Sequence, residues 1–422
     1  MSGLYEKNGP WQFVPARLAP PNRSGPFFPF YNRVLTLIEN GELYAPGQKG
    51  KRDILVASGQ IEKVGSIDRR KLDALGLECD VIDATGCIVA PGFIDPHEHL
   101  LGGSGEGSLA LQSPELFIDE ICRAGITTVV GTLGVDTTMK TLPGLLARVK
   151  ALKEEGLSAY LWTGGYNVPP TTMLDDVRQD MMFIDECIGA GEIAISDERS
   201  LAPDLHSLAR VVLDAHIGGL LTGKAGLTHF HVGESDKKLG PILDLLENFD
   251  IKPEWLFPTH VQRSKELMEE AIAFANDGMP INIDVVDEDA GKWTKYYLDR
   301  GGPPENFTIS SDADSTTPDV FYGQICELVV KHKLPLELVL AFVTSNTART
   351  LKLESKGRVA EGCDADLVVL TEGALEIREV ISGGKRLVVD GQCKTRSKFL
   401  AQSSRNVTLV GAECDEPIHT EQ

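Results

Sequence analysis

Apolar runs of strand length alternate with amphipathic helical patterns through most of the chain. Helical spacing of apolar residues is found at 142–153, 176–187, 204–215, 265–276 and 320–331. Buried strands are predicted at 87–99, 126–130, 157–162, 192–195, 226–231, 255–260, 281–286 and 307–312. This alternation predicts βαβ units, and eight of them over roughly 260 residues favour a (β/α)8 TIM barrel, an α/β fold, over an open sheet.

The segments on either side of this region have a different pattern. Short β-type runs separated by turn residues occupy residues 31–90 and return in residues 354–400. We predict that these two segments form one small antiparallel domain, a β-sandwich, beside a catalytic barrel of residues 91–353. Residues 1–30 predict an extended N-terminal arm, and residues 401–422 predict an acidic tail.

Composition narrows the class of protein. The chain has 422 residues and a formal net charge of −21, which disfavours binding to nucleic acid or to an anionic membrane surface. Its eight cysteines include no C-x-x-C pair, so we expect free thiols in a reducing cytoplasm rather than a disulfide framework. No apolar run is long enough to span a bilayer, and no signal peptide is evident, so the prediction is a cytoplasmic protein.

The stretch Cys87–His99 ends in two histidines and is predicted to be a single buried strand. Side chains alternate along a strand, so His97 and His99 face one way and Glu98 faces the other. Two imidazoles on one face suit a divalent metal ion. The alternative for an isolated H-x-H is a pair of loop histidines that hydrogen-bond to nearby backbone.

The ends of later strands decide between these alternatives. His231, His260 and Asp312 each end a predicted strand, and the carboxyl ends of barrel strands meet at one rim. Imidazoles and carboxylates gathered there predict a site for zinc, manganese or iron(II). His229 lies two residues before His231, and we predict a buried histidine that hydrogen-bonds its neighbours rather than a ligand.

The motif Pro91–His99, together with the distant His231, His260 and Asp312, resembles the amidohydrolase superfamily. Residues 356–370 are similar to that superfamily's return into a small β domain. Within the superfamily, the isoaspartyl dipeptidase (β-aspartyl peptidase) family is the one that the chain resembles most. The similar stretches are 101–106, 161–166, 194–199, 223–235 and 258–263.

The resemblance implies two divalent metal ions, with zinc as the usual metal. His97 and His99 would bind one ion, His231 and His260 the other, and Asp312 would be a further ligand of the first. The metals would activate a bridging water for attack on an amide. Asp312 would accept the proton of that water and deliver a proton to the leaving amine.

The resemblance also implies roles around the substrate. Tyr166 would donate a hydrogen bond to the carbonyl oxygen as negative charge develops there. Glu106 would bind the α-ammonium group, while Arg199 and Arg263 would bind carboxylates. Without the resemblance, a structural role is at least as good a hypothesis for each: a tyrosine in a turn, a solvated glutamate, and arginines that balance nearby acidic residues.

The sequence departs from the superfamily at the bridge between the metals. The superfamily commonly uses a carboxylated lysine, but no lysine occurs between Lys153 and Lys224. Glu192 falls at about that place, and its two carboxylate oxygens offer an equivalent bridge. Asp197 and Glu198 are rival candidates, and without any bridge the site would hold a single metal.

Departures also occur at positions that the resemblance places beside the substrate. Val135 stands where the family has a threonine near the substrate amine. Ser104 replaces a glycine in the glycine-rich loop, and Thr316 takes the place of a serine. These changes affect the preference for a substrate side chain rather than the type of reaction.

The function predicted from the sequence is metal-dependent hydrolysis of β-aspartyl (isoaspartyl) dipeptides by a homo-oligomer. A different amidohydrolase reaction, on cyclic amides such as hydantoins or on N-acyl amino acids, is the first alternative. A catalytically inactive relative that serves as an oligomeric scaffold is the second.

Overall fold

A computed structural model describes residues 35–404 of the chain, except residues 75, 287 and 288. Five strands and one short helix come first in this part of the chain. They are β1 Leu35–Tyr44, β2 Gln48–Ala57, β3 Gln60–Gly65, α1 Arg69–Asp73, β4 Cys79–Asp83 and β5 Cys87–Pro91. In β2 the side chains of Ile54 and Val56 are buried between more exposed neighbours, as the two-residue period of a strand requires. The predicted arm and residues 405–422 of the predicted tail lie outside the described residues.

Eight parallel strands follow, and nearly all their residues are buried. They are β6 Phe93–Glu98, β7 Ile126–Gly131, β8 Ser158–Thr163, β9 Cys187–Ile195, β10 Leu227–Val232, β11 Leu256–Thr259, β12 Ile281–Asp284 and β13 Phe307–Ser310. Strands β6 to β11 pair in chain order as one sheet, and β12 pairs with β13. Near-continuous apolar runs are typical of parallel strands that are covered on both faces.

This parallel sheet curls until its last strand reaches its first. Beyond β13, the backbone N–H of Asp312 donates to the carbonyl of His97 over 3.1 Å, and the N–H of His99 donates to the carbonyl of Ala313 over 3.0 Å. Between β11 and β12 a side-chain bond connects the strands, from Asn282 Nδ2 to Thr259 Oγ1 over 2.8 Å. The curl brings the carboxyl ends of distant strands together.

Helices occupy the connections between the strands. They are α2 Ile118–Arg123, α3 Leu142–Glu155, α4 Val177–Phe183, α5 Leu205–Thr222, α6 Gly240–Asn248, α7 Lys265–Asn276, α8 Ala290–Asp299, α9 Pro318–Val330, α10 Leu336–Val343 and α11 Ser345–Thr350. Short 3-10 helices lie at Leu109–Leu111, Pro253–Trp255, Val261–Arg263 and Pro304–Asn306. Side chains of Thr141, Asp204 and Ser264 cap backbone N–H groups where α3, α5 and α7 begin. Among the described residues, no helix has the length and apolar character needed to cross a membrane.

The prediction of one helix over 176–187 is wrong at its C-terminal end. Helix α4 ends at Phe183, because Ile184 adopts extended backbone, and the chain has entered β9 by Cys187. The apolar run of residues 181–184 extends past the last helical residue, so periodicity alone does not locate the boundary.

The prediction of a single strand over Cys87–His99 is also wrong. The chain changes sheets at Gly92, which separates β5 from β6. The N–H of Gly92 donates to Asp366, whereas the N–H of Phe93 donates to Gly125. A side chain at position 92 would collide with Thr127, so glycine permits the two sheets to approach closely here.

The C-terminal segment returns to the first sheet. Its elements are β14 Leu367–Thr371, β15 Ile377–Ser382, β16 Lys385–Val389, β17 Gln392–Cys393 and α12 Lys398–Gln402. Strand β14 pairs antiparallel with β5, which joins both segments in one nine-stranded sheet. The sheet is mixed rather than antiparallel throughout, because β4 and β5 both run parallel to β1. Ile38 and Ile54 share an apolar cluster with Leu367 and Ile381.

Candidate metal centre

Six predicted metal ligands converge where the parallel strands end. They are His97 and His99 at the end of β6, Glu192 in β9, His231 in β10, His260 after β11 and Asp312 after β13. The backbone of His260 has a φ of 63° and that of Asp312 a φ of 51°, so both lie in the left-handed region. Such conformations are sparsely populated by residues other than glycine and are common at functional sites.

The carboxylate of Glu192 lies between two groups of imidazoles, which are His97 and His99 on one side and His231 and His260 on the other. Its Oε2 atom is 3.3 Å from His97 Nε2. Its Oε1 atom is 2.8 Å from His231 Nδ1 and 3.2 Å from His260 Nε2. The two oxygens therefore face different members of the ligand set, as a bridging carboxylate requires.

Asp312 completes the group on the side of His97. Its Oδ1 atom is 3.1 Å from His97 Nε2 and 3.2 Å from His99 Nε2. Burial opposes ionisation of Asp312, but the positive charge of His97 and the adjacent His99 imidazole hold its pKa well below the usual range. Asp312 is thus a carboxylate in this environment.

The donor set fits divalent metal ions. Within the described part of the chain, His97 Nε2 and Glu192 Oε2 are buried and make no hydrogen bond of acceptable geometry. Ligand atoms around a tetrahedral zinc ion at 2.0–2.1 Å are about 3.3 Å apart. Four of the five nitrogen–oxygen distances given above are 3.1–3.3 Å, and the fifth, between His231 and Glu192, is 2.8 Å. Neutral imidazoles with carboxylates suit zinc, manganese or iron(II).

His229 fixes the orientation of His97. Its Nδ1 atom is 3.0 Å from the carbonyl oxygen of Phe257, which can only accept, so Nδ1 carries the hydrogen. Burial, followed by the charge of His97, lowers the pKa of His229 to about 3 and keeps the ring neutral. Its Nε2 atom then accepts from His97 Nδ1 over 3.0 Å. Nε2 is thus the nitrogen of His97 that faces the other predicted ligands, and its lone pair is available to a metal ion in the neutral form of the ring. His229 is buried and hydrogen-bonds its neighbours, in agreement with its expected role.

Asp284, at the end of β12, acts on His260 in a similar way. Its Oδ2 atom accepts from His260 Nδ1 over 2.5 Å and from Gln262 Nε2 over 2.5 Å. Burial alone would lower the pKa of His260, but the charge of Asp284 raises it to about 9. A carboxylate behind a ligating histidine orients the ring and makes its other nitrogen a stronger ligand.

We therefore expect Asp284→Asn to weaken metal binding by about 10–100-fold, the usual effect of losing such a carboxylate. A chelator-competition titration of the purified protein measures this directly. Asp299→Asn is the control, because Asp299 is exposed at the end of α8. Unchanged metal affinity in Asp284→Asn would show that Asp284 has a purely structural role.

The rival carboxylates lie elsewhere. Asp197 forms a two-pronged contact with Arg199, in which Oδ1 is 2.9 Å from Nε and Oδ2 is 2.9 Å from Nη2. Its Oδ2 atom also lies 2.9 Å from His231 Nε2, on the side of that ring away from Glu192. Glu198 is exposed. Neither faces both groups of imidazoles, so Glu192 is the better candidate for a bridge.

A cavity of about 270 Å³ opens beside the ligand cluster, and its size suits a small molecule. It is lined by predicted substrate residues, namely Ser104, Glu106, Val135, Tyr166, Arg199 and Arg263. Ser104 donates to Asp136 over 2.5 Å, which links the glycine-rich loop to the loop after β7. The lining includes Ser315 but not Thr316, so the structure does not bring Thr316 to this cavity.

Opposite charges face each other inside the cavity. Arg199 Nη1 lies 2.8 Å from Glu106 Oε1, while its other nitrogens are held by Asp197. Arg263 Nη1 is 3.7 Å from Asp197 Oδ2. Asp197 thus holds Arg199 in place and leaves one edge of its guanidinium facing Glu106 and the cavity.

Tyr166 lies over the ligand cluster. Its Oη atom is 2.7 Å from His231 Nδ1, and the side chain is 6% exposed. Burial, and next the charge of Glu192, raise the pKa of Tyr166 well above its usual value. The hydroxyl therefore keeps its proton at neutral pH and can donate it in a hydrogen bond.

The sequence interpretation assigned no role at the site to Asp284 or Asp136. Asp284 ends strand β12, so the strand-end argument that singled out Asp312 could have found it. Asp136 lies in the loop after β7, where an acidic residue gives no signal of its own. Its contact with Ser104 depends on the approach of two loops, which sequence spacing does not reveal.

Comparison with known proteins places this site in a family. A model of the Amidohydrolase family matches residues 305–387. A crystal structure of a β-aspartyl dipeptidase from Fervidobacterium islandicum AW-1 is 37% identical, with a TM-score of 0.82 and coverage of 86% of this chain and 99% of that one. A structure of the β-aspartyl dipeptidase of that organism in complex with a β-Asp-Leu dipeptide is 36% identical, with a TM-score of 0.79 and coverage of 86% and 98%.

Curated relatives include proteins with other names. An adenine deaminase from Listeria monocytogenes is 23% identical over 401 residues, which are 91% of this chain and 62% of that protein. A D-hydantoinase from Geobacillus stearothermophilus is 47% identical over 64 residues, which are 15% of this chain and 12% of that protein. The alignments thus span less than two thirds of the length of these two relatives.

The chain belongs to the amidohydrolase superfamily. It is therefore a hydrolase of that superfamily, whose members generally depend on divalent metal ions, and its curled parallel sheet belongs to a TIM-barrel-like domain. Its expected similarity to the β-aspartyl dipeptidases is confirmed by the 37% identity that extends over almost the whole F. islandicum protein.

Proposed function

We propose that this protein hydrolyses β-aspartyl dipeptides with two divalent metal ions, zinc being the first candidate. The main support for the proposal is the arrangement of charges in the cavity. Glu106, Arg199 and Arg263 lie beside the six predicted metal ligands. A dipeptide with a free ammonium group and carboxylates is complementary to that pattern, whereas a cyclic amide lacks the ammonium group. The similarity to proteins described as β-aspartyl dipeptidases gives further support.

In this proposal, His97, His99 and Asp312 would hold one ion, His231 and His260 would hold the other, and Glu192 would be a ligand common to both groups. Metal ions in such a centre supply Lewis acidity that makes a water molecule nucleophilic near neutral pH.

Two side chains would then carry the proton and the developing charge. Asp312, whose side chain is 18% exposed, accepts the proton of the attacking water and returns it to the amide nitrogen that leaves. Tyr166 Oη donates to the carbonyl oxygen while that oxygen becomes negative.

Binding of the dipeptide would exchange ion-pair partners. In the structure Glu106 and Arg199 contact each other, and the Glu106 side chain is 65% exposed in its loop. The ammonium group of the substrate would form an ion pair with Glu106. A carboxylate of the substrate would then pair with the edge of the Arg199 guanidinium group that Glu106 had contacted. One exposed ion pair, worth little in water, is replaced by two ion pairs in an enclosed site.

A substrate panel tests the proposed function. The purified, metal-loaded protein is assayed with β-Asp-Leu, β-Asp-Arg, α-Asp-Leu, N-acetyl-leucine and hydantoin. Hydrolysis of the two β-aspartyl dipeptides, with kcat/KM at least about 100-fold above the other compounds, is the expected result. Hydrolysis of hydantoin or N-acetyl-leucine alone would overturn the proposal in favour of another amidohydrolase reaction.

The role of Glu106 has its own test. We expect Glu106→Gln to lower kcat/KM for β-Asp-Leu by about 100-fold, because the ammonium group loses its charged partner. The effect on N-acetyl-β-Asp-Leu, which has no ammonium group, should be small. Glu115→Gln is a matched control, since Glu115 precedes α2 and contacts Arg148 at 3.5 Å. Equal losses on both substrates would assign Glu106 a structural role.

Architecture and assembly complete the proposal. We infer a closed (β/α)8 barrel of residues 91–353, a β-sandwich domain from residues 31–90 and 354–400, and a cytoplasmic homo-oligomer. The bonds between the end of β13 and β6 support the closed barrel, and the shared cluster of Ile38 and Leu367 supports a joint small domain. Light scattering on the purified protein would determine the oligomeric state.

A further inference from the structure

Two cysteines lie against each other where helix α2 meets strand β17. The sulfur atoms of Cys122 and Cys393 are 3.2 Å apart, although 271 positions separate these residues in the sequence. Non-bonded heavy atoms normally settle at about 3.5–4.0 Å, so this contact is close. Neither residue belongs to the proposed metal or substrate site.

The two thiols differ in their access to solvent. Cys122 is fully buried on α2, in the apolar cluster that also contains Ile118 and Ile121. Cys393 is half-buried in a two-residue edge strand, between the exposed residues Gln392 and Lys394. Cys393 is thus the more accessible of the two residues, and Cys122 lies behind it in the core.

Both sulfur atoms are held by their own elements. Cys393 pairs with Val388 of β16, and its thiol donates to the carbonyl of Thr395 over 3.1 Å. The Cys122 sulfur atom lies 3.8 Å from the carbonyl oxygen of Asp119 in its own helix. A disulfide requires the sulfur atoms to approach by about 1 Å more, a shift that an edge strand can make without unfolding.

The contact also makes the two thiols chemically unequal. The hydrogen bond from Cys122 lowers the pKa of Cys393, while the same bond, together with burial, raises the pKa of Cys122. Cys393 is thus the thiol that ionises first, and a thiolate is the nucleophile in thiol oxidation.

We propose that Cys122 and Cys393 form a redox-modification site, which hydrogen peroxide converts to an intramolecular disulfide. The Cys393 thiolate attacks the peroxide: an S–O bond forms, the O–O bond breaks, and the leaving hydroxide takes a proton from solvent to become water. The Cys122 sulfur then attacks the sulfenic sulfur of Cys393. The S–S bond forms, the S–O bond breaks, and the thiol proton of Cys122 leaves with the hydroxyl group as water. The peroxide thus gains the two electrons that the thiols lose.

The cross-link fastens the C-terminal end of the nine-stranded sheet to α2. It closes a loop of 271 positions, so it restricts the unfolded chain strongly and leaves the folded chain almost unchanged. The oxidised protein is expected to melt several degrees above the reduced protein.

Peptide mapping tests the proposal. The full-length protein is treated with a few equivalents of hydrogen peroxide, remaining thiols are blocked with iodoacetamide, and the digest is analysed by mass spectrometry without reductant. The expected result is a cross-linked peptide pair containing Cys122 and Cys393, which dithiothreitol separates, with a loss of two free thiols out of eight. Sulfinic or sulfonic acid at Cys393 with Cys122 still free would overturn the proposal.

Two variants sharpen the test. Cys393→Ser should lose both the cross-link and the difference in melting temperature between oxidised and reduced protein. Cys326→Ser, which removes a half-buried cysteine of α9, should retain both. A rise in melting temperature on oxidation that persists in Cys393→Ser would show that other cysteines are responsible.

Discussion

Glu192→Ala is expected to lose metal and activity together. Glu192 is completely buried, and its two oxygens face His97 on one side and His231 and His260 on the other. Without this carboxylate, no negative charge would lie between the two groups of imidazoles, and two bound cations would repel each other there. We expect metal content to fall from two ions per chain to one or fewer, and kcat/KM to fall by about 1,000-fold or more. Elemental analysis after gel filtration, combined with the β-Asp-Leu assay, measures both quantities.

Asp197→Asn is the informative companion, because Asp197 is one of the two rival candidates for the bridge. Asp197 contacts one of the predicted metal-binding histidines, His231, but its main contacts are with the guanidinium group of Arg199. We expect this variant to keep two metals and to lose substrate affinity, since Arg199 is no longer fixed. Glu192→Gln guards against a packing defect, because it retains the volume of the side chain. Two bound metals and full activity in both Glu192 variants would exclude Glu192 as the bridge.

The positions of the strands could be predicted from the sequence, because burial on both faces leaves long apolar runs that turn residues interrupt. The clustering of the histidines could be predicted from the same pattern, because the carboxyl ends of barrel strands meet at one rim regardless of how the intervening helices pack. His231, His260 and Asp312 are far apart in sequence, yet they could be assigned to one site without knowing how the helices pack.

The division of the stretch Cys87–His99 could not be predicted in this way. Nothing in its apolar pattern marks the exchange of partners at Gly92, which depends on the approach of Thr127 from a different strand. Asp284 is predictable only in part: its position at the end of β12 places it near the other strand ends, but its 2.5 Å contact with His260 is not encoded in spacing along the chain.

The net charge of the chain and the charges in the cavity have opposite effects on a substrate that carries carboxylates. The chain as a whole carries −21 charges, so a substrate with carboxylates meets repulsion at long range. Within the cavity, however, Arg199 and Arg263 lie next to the metal-type ligands, and bound metals would add positive charge there. A zwitterionic ligand suits both environments, because its carboxylates are attracted to Arg199 and Arg263 while its ammonium group reduces the repulsion from the acidic surface.

Asp312→Asn is expected to abolish turnover while leaving most of the metal bound. The asparagine keeps an oxygen near His97 and His99, but it cannot take up the proton of the attacking water. We expect kcat to fall by about 1,000–10,000-fold with little change in KM, the upper range for loss of a positioned base. The assay is run at saturating zinc, so that weaker metal binding does not limit the rate.

The pH profile distinguishes this role from a purely structural one. In the wild type, kcat/KM should fall as pH decreases through the pKa of the base, because protonated Asp312 cannot accept a proton. This acidic limb should be absent from the residual activity of Asp312→Asn. Asp319→Asn, at an exposed position in the first turn of α9, should keep both the rate and the limb. A metal-loaded Asp312→Asn protein with at least a tenth of the wild-type kcat would show that another group carries the proton, since loss of a positioned base costs about 100-fold or more.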